Sequence, residues 1–381
     1  MQSVVHVMPF YDVPERAAFS GAEIHLFTLM LGQIAAGMQV ELVMAIGWPG
    51  PRLEAKAAEL SAAGVRVTMV PFGEPGLGWR SRFSRLRALS LLKAHFIACQ
   101  KKILHLHIIT PSSWLFAWAA WRARHKAVVA SYHNNEPYLA KVPARWALCL
   151  IDRVTRRTIA ISQSVRQHLV MNVGLSPSRT RVVYYGIEVP PVPDKAALRV
   201  RMGLPAEGFI VGFVGRLIEQ KDVPTLLRAF ARLPDVVGVV IGGGPLEAQL
   251  KAEAQKLGLS HVHFIGPRLD GPELIGGLDA LVLCSVFEGL GLGMLEAMVR
   301  RVAIVGTRAG SIPEVLANGE AGRLVDVGDD AALAAALQAL KDDENDRATL
   351  TAAALARAEA VFTVPAMVRN TAAVYAEALG E

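Results

Sequence analysis

Short apolar runs and amphipathic stretches alternate along this chain. "SVVHVMPF", "QVELVMAIG" and "VRVTMVPF" have the length and β-branched content of buried strands. Between them, "AEIHLFTLMLGQIAAG" and "PRLEAKAAELSAAG" repeat apolar positions at helical spacing. "ILHLHII", "KAVVASYH", "TIAIS" and "RVVYYG" carry the rhythm to residue 186. Such alternation predicts βαβ units and a parallel sheet. The proline-rich "IEVPPVPD" reads as a linker. A second series follows: "FIVGFVG", "GVVIGGG", "HVHFIG", "ALVLCS", "VAIVGT" and "GRLVD", each leading into a helical pattern. The expected fold class is α/β, with two doubly wound, Rossmann-like parallel-sheet domains. One spans 1–190 and the other 205–361, and they are expected to face a central cleft, since ligands of such sheets bind at the carboxyl ends of the strands.

A chain of 381 residues exceeds one ordinary core, and 52% hydrophobic against 19% charged residues argues against disorder. Three cysteines, Cys99, Cys149 and Cys284, are odd in number and set among apolar neighbours, so they read as reduced residues of a cytoplasmic protein. "MQSVVHVMPF" lacks a basic start and is a better first strand than a signal peptide. "WLFAWAAW" falls well short of the ~20 residues a membrane span requires. Basic residues concentrate before residue 190 and acidic ones after it, while the whole chain carries +6. That asymmetry points to two domains with different partners, the basic one facing something anionic.

Candidate chemistry gathers in the second half. "GRLIEQKDVP" puts Arg216 and Lys221 directly behind an apolar run, a fork and a point charge suited to phosphate oxygens. "EGLGLGMLEAM" sets Glu288 and Glu296 on either side of a glycine-rich turn that opens a helix. Backbone amides at such a turn favour an anion, and flanking carboxylates suit hydroxyl donors.

In this order, these motifs resemble the retaining glycosyltransferases of family 4, which have the GT-B architecture. The resemblance extends over nearly the whole chain. It takes in "SGAE" (20–23), "HLH" (105–107), "SYHNN" (131–135), "AISQSV" (160–165), "YYGIEV", "GGGPLE" (242–247) and "GSIPEVL" (310–316). It also takes in the closing segment 362–381, read as a helix that crosses back to the N-terminal domain. The resemblance implies that Arg216 and Lys221 neutralise the departing diphosphate of a nucleotide sugar, with Gly215 among the donor-binding residues. It implies that Glu288 holds sugar hydroxyls, that Glu296 holds ribose hydroxyls, and that His133 meets the sugar near the reacting centre. Backbone amides of Gly291, Leu292 and Gly293 are implied to meet the distal phosphate, with Gly21 approaching from the other domain. Three positions depart from the family pattern: Asp222 where glycine is common, Tyr185 in place of an asparagine, and Ser311 in place of a glycine.

The expected activity is a retaining, hexosyltransferase-type transfer to a glycan or lipid-linked acceptor in cell-envelope polysaccharide or lipopolysaccharide synthesis. A UDP-sugar donor is favoured over a GDP-sugar. Neither a cofactor nor a metal is expected: "KDDEND" (341–346) reads as a solvated loop, and the two imidazoles of "HLH" are read as pointing to opposite faces of a strand. The alternatives are a GT-B nucleotide-sugar epimerase or hydrolase, and a non-catalytic GT-B partner subunit. Residues 77–102 carry seven Lys/Arg and no acid, interleaved with Trp79, Phe83, Leu86, Leu89 and Phe96. Arg80, Arg82, Arg85, Arg87 and Lys93 are therefore the expected surface toward an anionic membrane or the acceptor, on the inner face of the cytoplasmic membrane. No nucleic-acid module is found.

Overall fold

The computed structural model describes residues 2–11, 19–72, 78–109, 113–134 and 141–380. Contacts divide the chain into two units. The first is built on residues up to Gly186 and takes back Val364–Glu381, while Ile187–Thr363 form the second.

Seven strands make the first sheet: β1 (Ser3–Tyr11), β2 (Gln39–Trp48), β3 (Arg66–Pro71), β4 (Ile103–Ile108), β5 (Val128–Tyr132), β6 (Arg157–Ala160) and β7 (Thr180–Val182). Their order is β3-β2-β1-β4-β5-β6-β7, and every pairing is parallel. The second sheet contains β8 (Ile210–Val214), β9 (Val237–Ile241), β10 (Val262–Gly266), β11 (Ala280–Leu283), β12 (Ala303–Thr307) and β13 (Arg323–Val325). It runs β10-β9-β8-β11-β12-β13, again all parallel. Each unit is thus the doubly wound α/β sheet that the alternating pattern predicts. In both, the order reverses beside the first strand, between β1 and β4 and between β8 and β11, which creates a crevice at the carboxyl ends of those strands.

Side-chain spacing explains how the helices dock. In Val223–Phe230 the residues Val223, Leu226, Leu227 and Phe230 recur at i, i+3, i+4 and i+7, and all are buried. Each fully buried side chain of this kind contributes about 1.5–3 kcal/mol of transfer free energy. The "SGAE" segment is a helix start. Ser20 caps Gly21–Ala35, its hydroxyl accepting from the Glu23 amide while the Glu23 carboxylate accepts from the Ser20 amide at 2.6 Å.

The closing helix, Val364–Leu379, belongs to the first unit. A Cβ at Gly32 would stand 2.8 Å from both Val364 and Val368, so this helix lies hard against Gly21–Ala35. Glu377 then accepts from Arg157 at 2.7 Å and Arg181 at 3.1 Å. Outward at Gly186 and return at Val364, the chain passes between units at neighbouring points, for Ile187 bridges Thr363.

Candidate active site

In the second unit the predicted residues lie at the crevice where the strand order reverses. Arg216 follows β8 by two residues and is exposed. The turn carrying it is held from below. The Gly215 amide donates to Ile241 at 3.0 Å and the Leu217 amide to Gly243 at 2.9 Å. Gly242 has φ +144, and a Cβ there would fall 1.8 Å from the Gly215 carbonyl oxygen, so only glycine lets β9 end against this turn.

Lys221 ends a single 3-10 turn, Glu219–Lys221, and the next residue, Asp222, takes a left-handed conformation with φ 45. That backbone explains why glycine is common there. Here Asp222 accepts from Thr225 at 2.6 Å, the local bond that lets Asp adopt the conformation.

The segments after β8 and β11 are laced together. Val286 donates its amide to the Gln220 carbonyl, the Gln220 side chain donates to the Phe287 carbonyl, and both bonds are 2.8 Å. Lys221 Nζ meets Glu288 Oε2 at 2.5 Å, and the Ser285 hydroxyl donates to the same oxygen at 3.2 Å. Glu288 is buried, and its backbone packs on Gly310 so closely that a Cβ there would stand 2.2 Å from the Glu288 carbonyl.

Three residues after Glu288, Gly291 caps the helix Leu292–Val299, whose first N–H groups lack intrahelical partners. A Cβ added at Gly293 would stand 4.0 Å from the Val214 carbonyl oxygen at the end of β8, which places the helix start beside the turn that bears Arg216. Glu296 lies one turn along, its carboxylate near Gly293. Burial pushes the Glu296 carboxyl up to about 7, against the opposing pull of Arg300. Two cations, two carboxylates and a set of free amides therefore converge in one unit. The arrangement can hold a diphosphate together with hydroxyl-bearing groups.

Gly21 and His133 belong to the first unit, Gly21 opening the capped helix and His133 directly following β5. Asn135 of "SYHNN" lies outside the described residues. His133 is part of a chain that sequence reasoning missed. "HLH" was expected to direct its imidazoles to opposite faces, but residues two apart on a strand share a face, and the His105 and His107 rings stack at 4.3 Å.

The chain has one consistent polarity. Tyr185 donates to His133 Nδ1 at 2.9 Å, His133 Nε2 to His107 Nδ1 at 3.0 Å, and His107 Nε2 to His6 Nδ1 at 3.0 Å. His6 Nε2 donates to the Gln33 carbonyl oxygen at 2.8 Å, and the Gln33 amide donates to Tyr375 at 3.2 Å. Tyr375 donates to His105 Nδ1 at 2.7 Å, and His105 Nε2 to Ser131 at 2.7 Å. His25 stacks on Tyr185 at 3.9 Å. Ligand atoms of His6, His105 and His107 lie within 4.8 Å of one another, close enough for a metal ion. This removes the argument from opposite faces, although the chain already satisfies every ring nitrogen of the three. The one signal in the sequence is the two-residue spacing of His105 and His107; His6 and His133 join them because β1, β4 and β5 are adjacent strands.

Burial holds these rings neutral, with His6 lowered to about 4, His133 to about 3, and His25, His105 and His107 well below the ordinary value. In the unfolded chain they protonate near 6.5. The unfolded state therefore binds more protons below that pH, and stability rises with pH there and is lost as pH falls from about 6.5. At pH 5 each such ring costs the fold about 2 kcal/mol. The thermal midpoint is expected to fall by roughly 10 °C or more between pH 7 and pH 5. A midpoint that stays level across that interval would mean the rings are charged in the folded protein.

The basic helix Gly78–Ala98 forms as predicted. The side chains of Trp79, Arg80, Arg82, Phe83 and Arg85 lie outside the described residues. Of the rest, Leu89, Leu92 and Phe96 are buried in the domain, whereas Leu86, Leu91 and Ile97 are exposed, as is Arg87. Lys93 is half-buried. No helix among the described residues is long and apolar enough to cross a membrane.

Residues 19–189 match Glycosyltransferase Family 4, and residues 194–357 match Glycosyl transferases group 1. A D-inositol 3-phosphate glycosyltransferase of Corynebacterium jeikeium (strain K411) is 31% identical over 285 residues, 65% of this chain and 67% of that protein. One from Mycobacterium sp. (strain KMS) is 30% identical over 252 residues, 59% of this chain, so the match spans 55% of that relative's length. The crystal structure of Anabaena Alr3699/HepE in complex with UDP and glucose superposes with a TM-score of 0.80 at 22% identity, over 98% of this chain and 99% of that chain. That likeness is one of fold.

Proposed function

Because the chain belongs to glycosyltransferase family 4 and has the GT-B fold, we propose that it moves a sugar from a nucleoside diphosphate donor to a glycan or lipid-linked acceptor with retention of configuration. The observation that carries this reading is the tie between Lys221 and Glu288 at the crevice between β8 and β11, beside the start of Leu292–Val299.

The donor diphosphate would lie against Arg216, Lys221 and the amides of Gly291, Leu292 and Gly293. Those groups are in place before the bond breaks, so they stabilise the charge that develops on the leaving diphosphate. Their positive charge supplies what a divalent ion would otherwise provide, and the proposed reaction is metal-independent. Glu288 is held by Lys221 and Ser285, which suits a carboxylate that receives sugar hydroxyls and not a nucleophile. The acceptor hydroxyl would attack from the side that the diphosphate leaves, passing its proton to the departing oxygen. UDP in the Anabaena structure supports a uridine nucleotide over a guanosine one. The names of the curated relatives, which act on inositol phosphate and phosphatidyl-inositol, support a phosphorylated polyol or lipid-linked acceptor, and the proposed product is a component of the cell envelope. Exposed Leu86, Leu91 and Ile97 beside Arg87 support peripheral attachment to an anionic membrane surface, with the protein in the cytoplasm.

A panel of nucleotide sugars tests the reading. Nucleoside diphosphate release is expected to require an acceptor, and proton NMR of the product is expected to show the donor's anomeric configuration. Inversion would reject the mechanism, and equal release without any acceptor would point to a hydrolase or an epimerase.

A further inference from the structure

At the edge of the first sheet where its strands begin, the structure holds a cavity of about 540 Å³ lined largely by cations. Arg124 and Lys126 precede β5, Arg153 ends the helix Val142–Val154, Arg156 and Arg157 lead into β6, and Arg179 precedes β7. His133 lies at the other, carboxyl end of β5, so this cavity is separate from the catalytic face of its own unit.

Only part of that charge is neutralised. Arg157 is paired with Glu377 at 2.7 Å and Arg179 with Asp152 at 2.5 Å. Arg156 donates its Nε to the Lys126 carbonyl at 3.2 Å, a bond that leaves its charge unmatched. Arg124, Lys126 and Arg153 have no carboxylate partner among the described residues. Arg124 also stands at φ 54, a backbone conformation in which glycine is the usual residue at a helix end. His125 lines the same cavity. It is 7% exposed, its Nε2 is within 3.2 Å of the Cys99 carbonyl, and its buried Nδ1 has no partner.

Unmatched guanidinium forks and a lysine suit a tetrahedral, multiply charged oxyanion; His125 contributes no donor to it, since its Nε2–H is given to the Cys99 carbonyl and its Nδ1 is an acceptor. The volume suits more than a bare ion. Trp121, 59% exposed, provides one wall, and Trp118 and Trp114 continue outward from it along one face of the helix Trp114–Arg122.

We propose that this cavity is a second anion site that binds the phosphate group of a phosphorylated compound, with Arg124, Lys126, Arg153 and Arg156 as its cations. The phosphate comes either from a soluble phosphorylated compound or from a lipid headgroup, and both present the same oxyanion.

Calorimetric titration with inorganic pyrophosphate, on the wild type and on Arg124→Ser/Lys126→Ser/Arg153→Ser, tests it. The donor site is intact in both proteins. Wild type is expected to take up one more pyrophosphate per chain than the variant, or to bind at least about ten-fold more tightly at that site. The same pair is then sedimented with vesicles of phosphatidylglycerol in phosphatidylcholine and of phosphatidylcholine alone. Loss of the extra pyrophosphate together with selective loss of binding to the anionic vesicles assigns a lipid headgroup. Loss of the pyrophosphate with vesicle binding unchanged assigns a soluble phosphate. Identical pyrophosphate binding by the two proteins overturns the proposal, whatever the vesicles show. A failure of the donor site would lower uptake equally in both and leave their difference intact, so the two readings fail separately.

Discussion

Arg216→Ala is expected to lower turnover by about 100-fold or more while leaving the protein folded. Removing one preformed donor to a developing oxyanion commonly costs that much. The fold should not suffer, because Arg216 is exposed and its turn is held by backbone bonds from Gly215 to Ile241 and from Leu217 to Gly243. Lys221 is a different case. It contacts the buried Glu288, so Lys221→Ala removes a cation and also strands a carboxylate, and its loss of activity would be mixed with a structural change. Arg216 is therefore the cleaner probe of the diphosphate. Initial rates with saturating donor, alongside an unchanged thermal midpoint, give the answer. Turnover within a few-fold of wild type would place Arg216 outside the site.

Much of the fold could be read from the chain because a doubly wound sheet writes itself in alternating periods. The apolar run "FIVGFVG" and the helix after it, for example, fix β8 and the position of Arg216 behind it. Local motifs were legible for the same reason. Ser20 and Glu23 form a capping box at a spacing visible in the sequence. What stayed hidden depends on lateral order in the sheet. His6, His107 and His133 are far apart in sequence and meet only because β1, β4 and β5 are neighbours. Tyr375 joins them from the returning helix and Gln33 from Gly21–Ala35. The cationic cavity was hidden likewise, since Arg124, Arg153 and Arg179 come together only where β5, β6 and β7 begin. The half-burial of the basic helix depended on tertiary context too. Leu89 and Phe96 pack inward while Leu86 faces out.

The two carboxylates should separate in their effects. Glu288→Gln keeps the size of the side chain but removes the charge that Lys221 and Ser285 address. If Glu288 orients the transferred sugar, turnover should fall about 100-fold with little change in nucleoside diphosphate affinity, because only the reacting part of the donor loses its partner. Glu296→Gln should instead weaken the nucleotide about ten-fold, since a ribose contact is made equally in ground and transition states. Glu296 also offers a pH signature. Its carboxyl is pushed up to about 7 by burial, and ribose hydroxyls donate best to the ionised form. Binding therefore favours loss of that proton. Affinity for a nucleoside diphosphate sugar, whose phosphates do not titrate in this range, should rise as pH passes from about 6 to about 8 and then level off. The Glu296→Gln profile should be flat across the same interval. Initial rates measure the turnover of both variants and calorimetry at several pH values measures their affinities, and a wild-type affinity independent of pH would take Glu296 away from the ribose.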